Sequence, residues 1–332
     1  RAMILHTAET LKRYTESGHW GRRTLLDLLR ETAAKAPERP AVVDPADRPD
    51  LTGTAAQSLS YREFAAAVDA IATGLLDMGL RKDEIVVVQL PNVWELVAMF
   101  LAVSRAGGVL SPMPIQWRDN EFQNVKKLTE ARFFFGMRDF KGADQLAIAE
   151  KTGFVALPIE RIAEMARGAA DVARLDAIGV DANDIFSLCW SSGTEALSKG
   201  CPMSHNNWLF QMNLIPLTAG LHEGDRVLAT APVVNMTGVA TWLASLAIGF
   251  GNGIGSGMIM TLGANHSPRH GRAHFLGVWR LMSDVGSSCG PVLLSFLAGS
   301  LSLASGIAAI GLMAWAAAGA LGRWVPGRTG GG

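Results

Sequence analysis

Leu188-Cys-Trp-Ser-Ser-Gly-Thr-Glu-Ala-Leu-Ser-Lys-Gly-Cys-Pro-Met-Ser-His-Asn206 is the stretch around which the rest of the chain is organised. An apolar run, residues 185–190, feeds into Ser191, Ser192, Gly193 and Thr194. A strand that ends this way turns where backbone N–H groups and hydroxyls converge, a concavity suited to anions. Lys199 adds a positive charge beside those donors, and a polyphosphate needs both kinds of partner. ATP is therefore the first ligand to consider. The string is not a Walker A loop, because Ser198 and not glycine precedes the lysine. The competing reading of the bare string is a glycine-bearing surface turn with an exposed lysine.

Working outward, the chain before this loop alternates helix and strand. Thr24 is placed to cap an amphipathic helix over residues 24–36, which Pro37 and Pro40 end before a short strand at 41–43. The polar, Pro- and Gly-bearing residues 45–58 read as a loop or hairpin tip. Ser60 caps a helix at 61–78 that presents Phe64, Val68, Ile71, Leu75 and Leu76 on one face, and Gly79 stops it. An unbroken buried strand at 85–90, a helix at 93–105, a helix at 121–130 and a strand at 132–136 follow. After the loop, a helix opens at 204–210 and a strand runs over 227–231. Such alternation predicts an α/β fold with a parallel sheet flanked by helices.

The loop resembles the phosphate-binding signature of the AMP-forming acyl-CoA synthetases, the adenylate-forming ligase superfamily, usually written Ser-Gly-Thr-Thr-Gly-x-Pro-Lys-Gly. Ser192, Gly193, Thr194, Lys199 and Gly200 match it, whereas Glu195, Ala196 and Ser198 stand where Thr, Gly and Pro are usual. Four more segments resemble the same family in the expected order: Leu59-Ser-Tyr-Arg-Glu-Phe, Gly74-Leu-Leu-Asp-Met-Gly, Leu90-Pro-Asn-x-x-Glu95 and Ala106-Gly-Gly-Val-Leu-Ser-Pro112. The resemblance implies a carboxylate that attacks the α-phosphate of ATP, with Mg2+, to give an acyl-adenylate, from which the CoA thiol displaces AMP. It implies phosphate contacts from Ser191, Ser192, Gly193, Thr194, Glu195, Lys199 and Gly200. It also implies a pocket for a small carboxylic acid at Asn235, Met236 and Gly238, where Asn235 replaces a usual His or aromatic residue. An amide there either hydrogen-bonds the carboxylate or ties down a turn. His205 matches a family position and is expected to support the loop through packing or a hydrogen bond.

The 30 basic and 30 acidic residues balance, but they are unevenly spread, since only five basic residues and one acidic residue follow residue 226. No basic cluster of the kind nucleic acids require is present. Three cysteines, Cys189, Cys201 and Cys289, fit neither a disulfide framework nor a zinc-ligand spacing, and no protein metal site is expected. No basic-then-apolar leader opens the chain, which begins at Arg1 and so reads as part of a longer record.

Residues 227–268 and 285–322 contain no Lys, Arg, Asp or Glu. Spans at 241–262, 275–297 and 301–321 each approach the ~20 apolar residues that cross a bilayer. Gly249, Gly253 and Gly257 recur at the spacing that lets helices approach closely. This tail resembles the last three helices of a major facilitator superfamily transporter, through Gly249-Phe-Gly-Asn-Gly, Ser267-Pro-Arg-His-Gly-Arg272 and the segment from Phe275 to Asp284. Arg280 and Asp284, one helical turn apart, form the expected membrane ion pair. The expected organisation is an incomplete ligase region at 1–240, an all-α three-helix transmembrane segment at 241–326 contacting the lipid bilayer, and a disordered tail at 327–332. The Tyr-Gly-x-Thr-Glu segment and C-terminal lysine implied by the ligase resemblance are missing, because the only tyrosines are Tyr14 and Tyr61 and no lysine follows Lys199. The expectation is a ligase by descent, cytoplasmic in its parent and membrane-bound if the tail is genuine, truncated and without turnover. The alternatives are a transporter fragment and a non-catalytic nucleotide-binding protein.

Overall fold

From the amino end the chain forms helix α1 (Ala8–Glu16), α2 (Leu25–Lys35), strand β1 (Pro40–Val43), α3 (Arg48–Thr52), β2 (Ser58–Ser60) and α4 (Tyr61–Asp77). Strand β3 (Ile85–Val88), α5 (Trp94–Arg105), β4 (Val109–Pro112), α6 (Asp119–Thr129), β5 (Phe133–Gly136), α7 (Gln145–Lys151), β6 (Val155–Pro158), α8 (Ile159–Ala166) and α9 (Val172–Asp176) follow. The order closes with β7 (Ile185–Trp190), β8 (Gly200–Ser204), α10 (His205–Ala219), β9 (Leu228–Ala229) and β10 (Asn252–Ile254). This computed structural model describes residues 5–191, 198–219, 228–229, 232–235, 238–240, 242–243 and 252–254.

Local chemistry starts the helices where the sequence places them. Thr24 and Asp27 form a reciprocal capping box at α2, and Ser60 and Glu63 form another at α4, so two orphan N–H groups at each helix start are satisfied by side chains. Ser204 and Asn207 exchange the same kind of bonds at the start of α10, from Ser204 N to Asn207 Oδ1 at 3.0 Å and from Asn207 N to Ser204 Oγ at 3.2 Å.

Six strands form one sheet in the order β6-β5-β3-β4-β7-β8, and four form a second in the order β2-β1-β10-β9. The sheets are mixed and not wholly parallel: β8 runs antiparallel to β7, and β2 antiparallel to β1. The connection from β7 to β8 is too short for the crossover that parallel strands require, so the chain returns as a hairpin. Two further departures from the sequence reading are the five-residue helix α3 inside the expected loop 45–58 and the helix α1, which it did not place.

Each face of the six-stranded sheet is covered. On one face α5 is buried along its whole length and packs with α4 and α8; its apolar residues Leu96, Val97, Phe100 and Leu101 join Val86, Val88 and Phe186 of the sheet. On the other face, Phe122 and Val125 of α6 and Leu146 of α7 meet Val87, Phe134 and Trp190. Each such fully buried large side chain contributes about 1.5–3 kcal/mol relative to exposure. The polar residues of α5 survive burial because they are paired: Glu95 with Arg48, Ser104 with His205, and Arg105 with Asp69 and Asp176.

Residues 252–254, inside the first expected membrane span, form β10, hydrogen-bonded in parallel between β1 and β9. Their backbone bonds run to neighbouring strands, so a continuous helix over 241–262 is not what the fold contains. Among the described residues no helix is long and apolar enough to cross a membrane. The spans 275–297 and 301–321, the pair Arg280 and Asp284, and the tail 327–332 lie outside the described residues.

Candidate functional site

The β7–β8 hairpin carries the loop on which the sequence argument turns. Its two strands pair in register from Ser187 and Met203 to Trp190 and Gly200. At the neck, Ser191 N–H donates to the Lys199 carbonyl at 2.9 Å, and Lys199 N–H returns to Ser191 Oγ at 3.1 Å. Asn124 of α6 holds the same end from the side, its Nδ2 donating to the Ser198 carbonyl at 3.0 Å. Gly200 lies flat against Leu188, where an added Cβ would come within 3.0 Å of the leucine side chain. Lys199 is exposed. Ser192, Gly193, Thr194 and Glu195, also expected in the phosphate grip, lie outside the described residues.

Beneath the neck the strand ends are locked together. The indole N–H of Trp190 donates to Ser111 Oγ at 2.9 Å, and Trp117 meets the Trp190 ring edge-on at 5.7 Å. Gln89, fully buried, donates to the carbonyls of Pro114 and Trp117 at 2.7 and 3.2 Å, fixing the turn after β4. Because β3, β4 and β7 are parallel neighbours, the turns that follow them leave from one edge of the sheet. That carboxyl edge is where open α/β sheets bind ligands.

The segment expected to face the carboxylate is tied to the same edge. Asn92, in the turn between β3 and α5, accepts the Val233 N–H at 3.0 Å. Asn235 closes a turn through its backbone, N–H to the Pro232 carbonyl at 3.0 Å, and its own carbonyl accepts from Val239 at 2.9 Å. Main chain therefore ties the turn, and the Asn235 side chain is exposed. Gly238 is buried, and an added Cβ there would lie 2.2 Å from the Pro232 carbonyl oxygen. Met236 lies outside the described residues.

Among the described residues, the hydrogen bonds of the His205 ring go to other elements and not to the hairpin. Its Nδ1 accepts the Leu25 N–H at 3.2 Å and its Nε2 donates to Ser104 Oγ at 3.0 Å, joining α10 to α2 and α5. Complete burial drives its pKa down to about 4, so the ring is neutral, and it packs against Phe186 at a tilt of 56°, ring centres 5.1 Å apart. Its support of the hairpin is indirect, through β7.

A buried ionic group that the sequence reading did not single out stands at the other end of α5. Arg48 contacts Asp44 Oδ2 at 2.7 Å and both oxygens of Glu95, at 2.8 and 2.5 Å. Asp44 Oδ1 also accepts the Trp94 N–H at 2.8 Å, capping α5 from a distance in sequence. All three side chains are nearly solvent-free. Burial raises both carboxyl pKa values against the opposing pull of Arg48, because one cation faces two carboxylates in an apolar surround. For Arg48, burial is opposed and outweighed by the hydrogen bonds and charges of Glu95 and Asp44, so its pKa rises and it stays charged. Asp44 lies only four residues from Arg48, but Glu95 lies 47 residues away, so no periodic signal announces the group as a whole.

A mixed α/β domain with a hairpin pinned at the carboxyl edge of its parallel strands is the class of fold that the structure defines. The chain belongs to the AMP-binding enzyme family, whose sequence profile it matches over residues 29–283. That match continues beyond residue 240. It is 26% identical over 247 residues to the medium-chain fatty-acid–CoA ligase of Escherichia coli (strain K12), covering 68% of this chain and 40% of that protein. It is 29% identical over 243 residues to a salicylyl-CoA synthase / salicylate adenylyltransferase of a Streptomyces species, covering 68% and 42%. Among solved structures, Mycobacterium smegmatis MbtA shares the fold, with a TM-score of 0.66 at 21% identity, over 79% of this chain and 49% of that one. The chain thus spans about two fifths of the length of these curated relatives.

Proposed function

We propose that this chain carries the ATP-phosphate grip and the carboxylate-facing segment of an AMP-forming carboxylic acid:CoA ligase. The observation that supports this most is the pinned neck between Ser191 and Lys199, which sets an exposed lysine at the carboxyl edge of the sheet. Lys199 offers charge to a polyphosphate, Ser191 and the family-matched Ser192, Gly193, Thr194 and Gly200 offer donors, and Mg2+ accompanies the nucleotide. When bound, ATP and CoA supply the activation and the acceptor thiol of the family reaction. Asn235, Met236 and Gly238 face a small carboxylic acid, in keeping with the fatty-acid and salicylate names of the relatives. Nucleotide binding is the part of the family reaction assigned to these 332 residues. Isothermal titration of the chain with ATP·Mg2+ tests the reading. Binding at least about tenfold weaker in Lys199→Ala is expected, as for loss of a charge-assisted contact. Equal affinity in both chains would sink it.

A second reading concerns residues 275–321 alone. The absence of any charged residue between 285 and 322 supports contact with a lipid bilayer there, with Arg280 and Asp284 neutralising each other at its start. Flotation of the chain with phosphatidylcholine vesicles is the expected result, and full recovery in the aqueous fraction without detergent would remove this reading.

A further inference from the structure

Cys189 of β7 and Cys201 of β8 stand directly opposite each other in the antiparallel register, and both are free thiols. Residues opposed in this way share a face of the sheet. Ser191 N–H donates to the Lys199 carbonyl at the neck, and antiparallel pairs alternate between bonded and non-bonded, so Cys189 and Cys201, two residues further down each strand, fall at the same kind of position. Such pairs place their Cα atoms about 5.5 Å apart, inside the ~4.4–6.8 Å range of disulfides. Opposed Cβ atoms on paired strands typically stand about 4.5–5.5 Å apart, wider than the ~3.8 Å of a relaxed disulfide, so closing the bond draws the strands together and leaves it readily reduced. The two thiols are unequally accessible. Cys201 is partly exposed, with its Sγ 4.0 Å from the Lys199 carbonyl, whereas Cys189 is buried against Ser187 Oγ at 3.7 Å.

We infer that Cys189 and Cys201 are an oxidisable pair, a modification site that closes to a disulfide at the base of the phosphate hairpin. The oxidant is a low-molecular-weight disulfide such as oxidised glutathione. Cys201 loses its proton to solvent and attacks one sulfur, forming the mixed disulfide and expelling one glutathione thiolate. Cys189, deprotonated in turn, attacks the Cys201 sulfur and expels the second. Two protein thiols are oxidised and one small disulfide is reduced to two thiols. Burial pushes the Cys189 thiol up to about 11, so Cys201 reacts first and Cys189 resolves. The bond lies two positions from both Ser191 and Lys199, so drawing the strands together shifts the neck. Its effect on nucleotide affinity rests on the function proposed above.

The test uses the full chain carrying Cys289→Ser, which leaves this pair as its only thiols. After treatment with oxidised glutathione, non-reducing proteolysis and mass spectrometry are expected to show a linked peptide pair containing Cys189 and Cys201, two hydrogens lighter than the sum. Dithiothreitol should release it, and Cys201→Ser should never form it. ATP affinity is expected to differ about fivefold between the oxidised and reduced forms, the equivalent of one neck hydrogen bond. Glutathione retained on Cys201 alone, or no modification at saturating oxidant, overturns the pair. A linked chain whose ATP affinity is unchanged overturns the coupling to the neck. A chain that forms the link but binds ATP in neither state supports the dithiol site and overturns the nucleotide reading.

Discussion

Ser191 and Lys199 hold each other twice across the mouth of the β7–β8 hairpin, backbone to backbone at 2.9 Å and backbone to hydroxyl at 3.1 Å. The lysine is thereby fixed at its backbone while its charged end stays in solvent. Removing the hydroxyl and removing the charge should separate these two contributions. Ser191→Ala is expected to weaken ATP binding about fivefold by loosening the neck, which corresponds to one modest hydrogen bond. Lys199→Ala is expected to cost about tenfold or more, because a charge-assisted contact is lost. Calorimetric titration of both variants checks the order, and a larger loss in Ser191→Ala would contradict it.

The group formed by Arg48, Asp44 and Glu95 sits nearly solvent-free at the start of α5. Removing the cation leaves two adjacent buried carboxylates without compensation. Arg48→Met is therefore expected to destabilise the chain by about 3–5 kcal/mol. Adding Glu95→Leu removes one of the stranded charges, so the double variant should lose less than Arg48→Met alone. Urea midpoints of the native chain, Arg48→Met, Glu95→Leu and the double variant decide the matter, and simple additivity would show that the residues do not act as one group.

The parts of this fold written in local chemistry were legible, and those that depend on distant partners were not. Thr24 and Ser60 announced α2 and α4 because a cap and its reciprocal acid lie three residues apart. The buried helix α5 was visible between Pro91-Asn92 and Gly107 because turn residues bracket it. By contrast, α3 owes its position to Arg48, whose partner Glu95 lies 47 residues away. Asn124 reaches the β7–β8 hairpin across 74 residues, which no spacing rule reveals. Hydropathy reads residues 241–262 as a bilayer span, whereas Asn252–Ile254 pairs as a strand with β1 and β9, a long-range pairing that a hydropathy window does not encode. His205 was read as a support of the loop, whereas its two nitrogens serve Leu25 and Ser104.

That same histidine gives the chain an acid sensitivity of known sign. A pKa of about 4 in the folded chain, below the ordinary value of 6.5, means that the unfolded chain binds the proton more readily. The stability it contributes is fully present above pH 6.5 and is lost progressively as pH falls toward 4. The loss amounts to about 3 kcal/mol by the usual conversion. Asp184, Asp27 and Asp181 moderate the shift and Lys82 deepens it, but burial dominates. His205→Gln should be less stable at pH 7 and should show a shallower decline across that window. Denaturant unfolding at pH 7, 5.5 and 4 measures the difference, and parallel curves would rule out the assignment.

Gly238 and Gly74 offer a matched pair for the last prediction, since both are crowded but by different atoms. At Gly238 a Cβ would meet the Pro232 carbonyl oxygen at 2.2 Å and the Val233 Cα at 3.0 Å, both main chain. The turn from Pro232 to Asn235 would have to open, and the Val233 N–H would leave Asn92. At Gly74 the obstacle is the Cγ and Sδ of Met165 at 2.7 Å, the flexible end of a side chain. Alanine also suits the interior of α4 better than glycine by about 1 kcal/mol, which offsets the methionine's adjustment. Gly238→Ala is therefore expected to cost about 1–3 kcal/mol, the range for overpacking a well-filled interior. Gly74→Ala should stay within about 1 kcal/mol of the native chain. Thermal unfolding of the two variants distinguishes them, and a Gly238→Ala chain as stable as Gly74→Ala would show that the turn facing the proposed acid pocket is not built on that close approach.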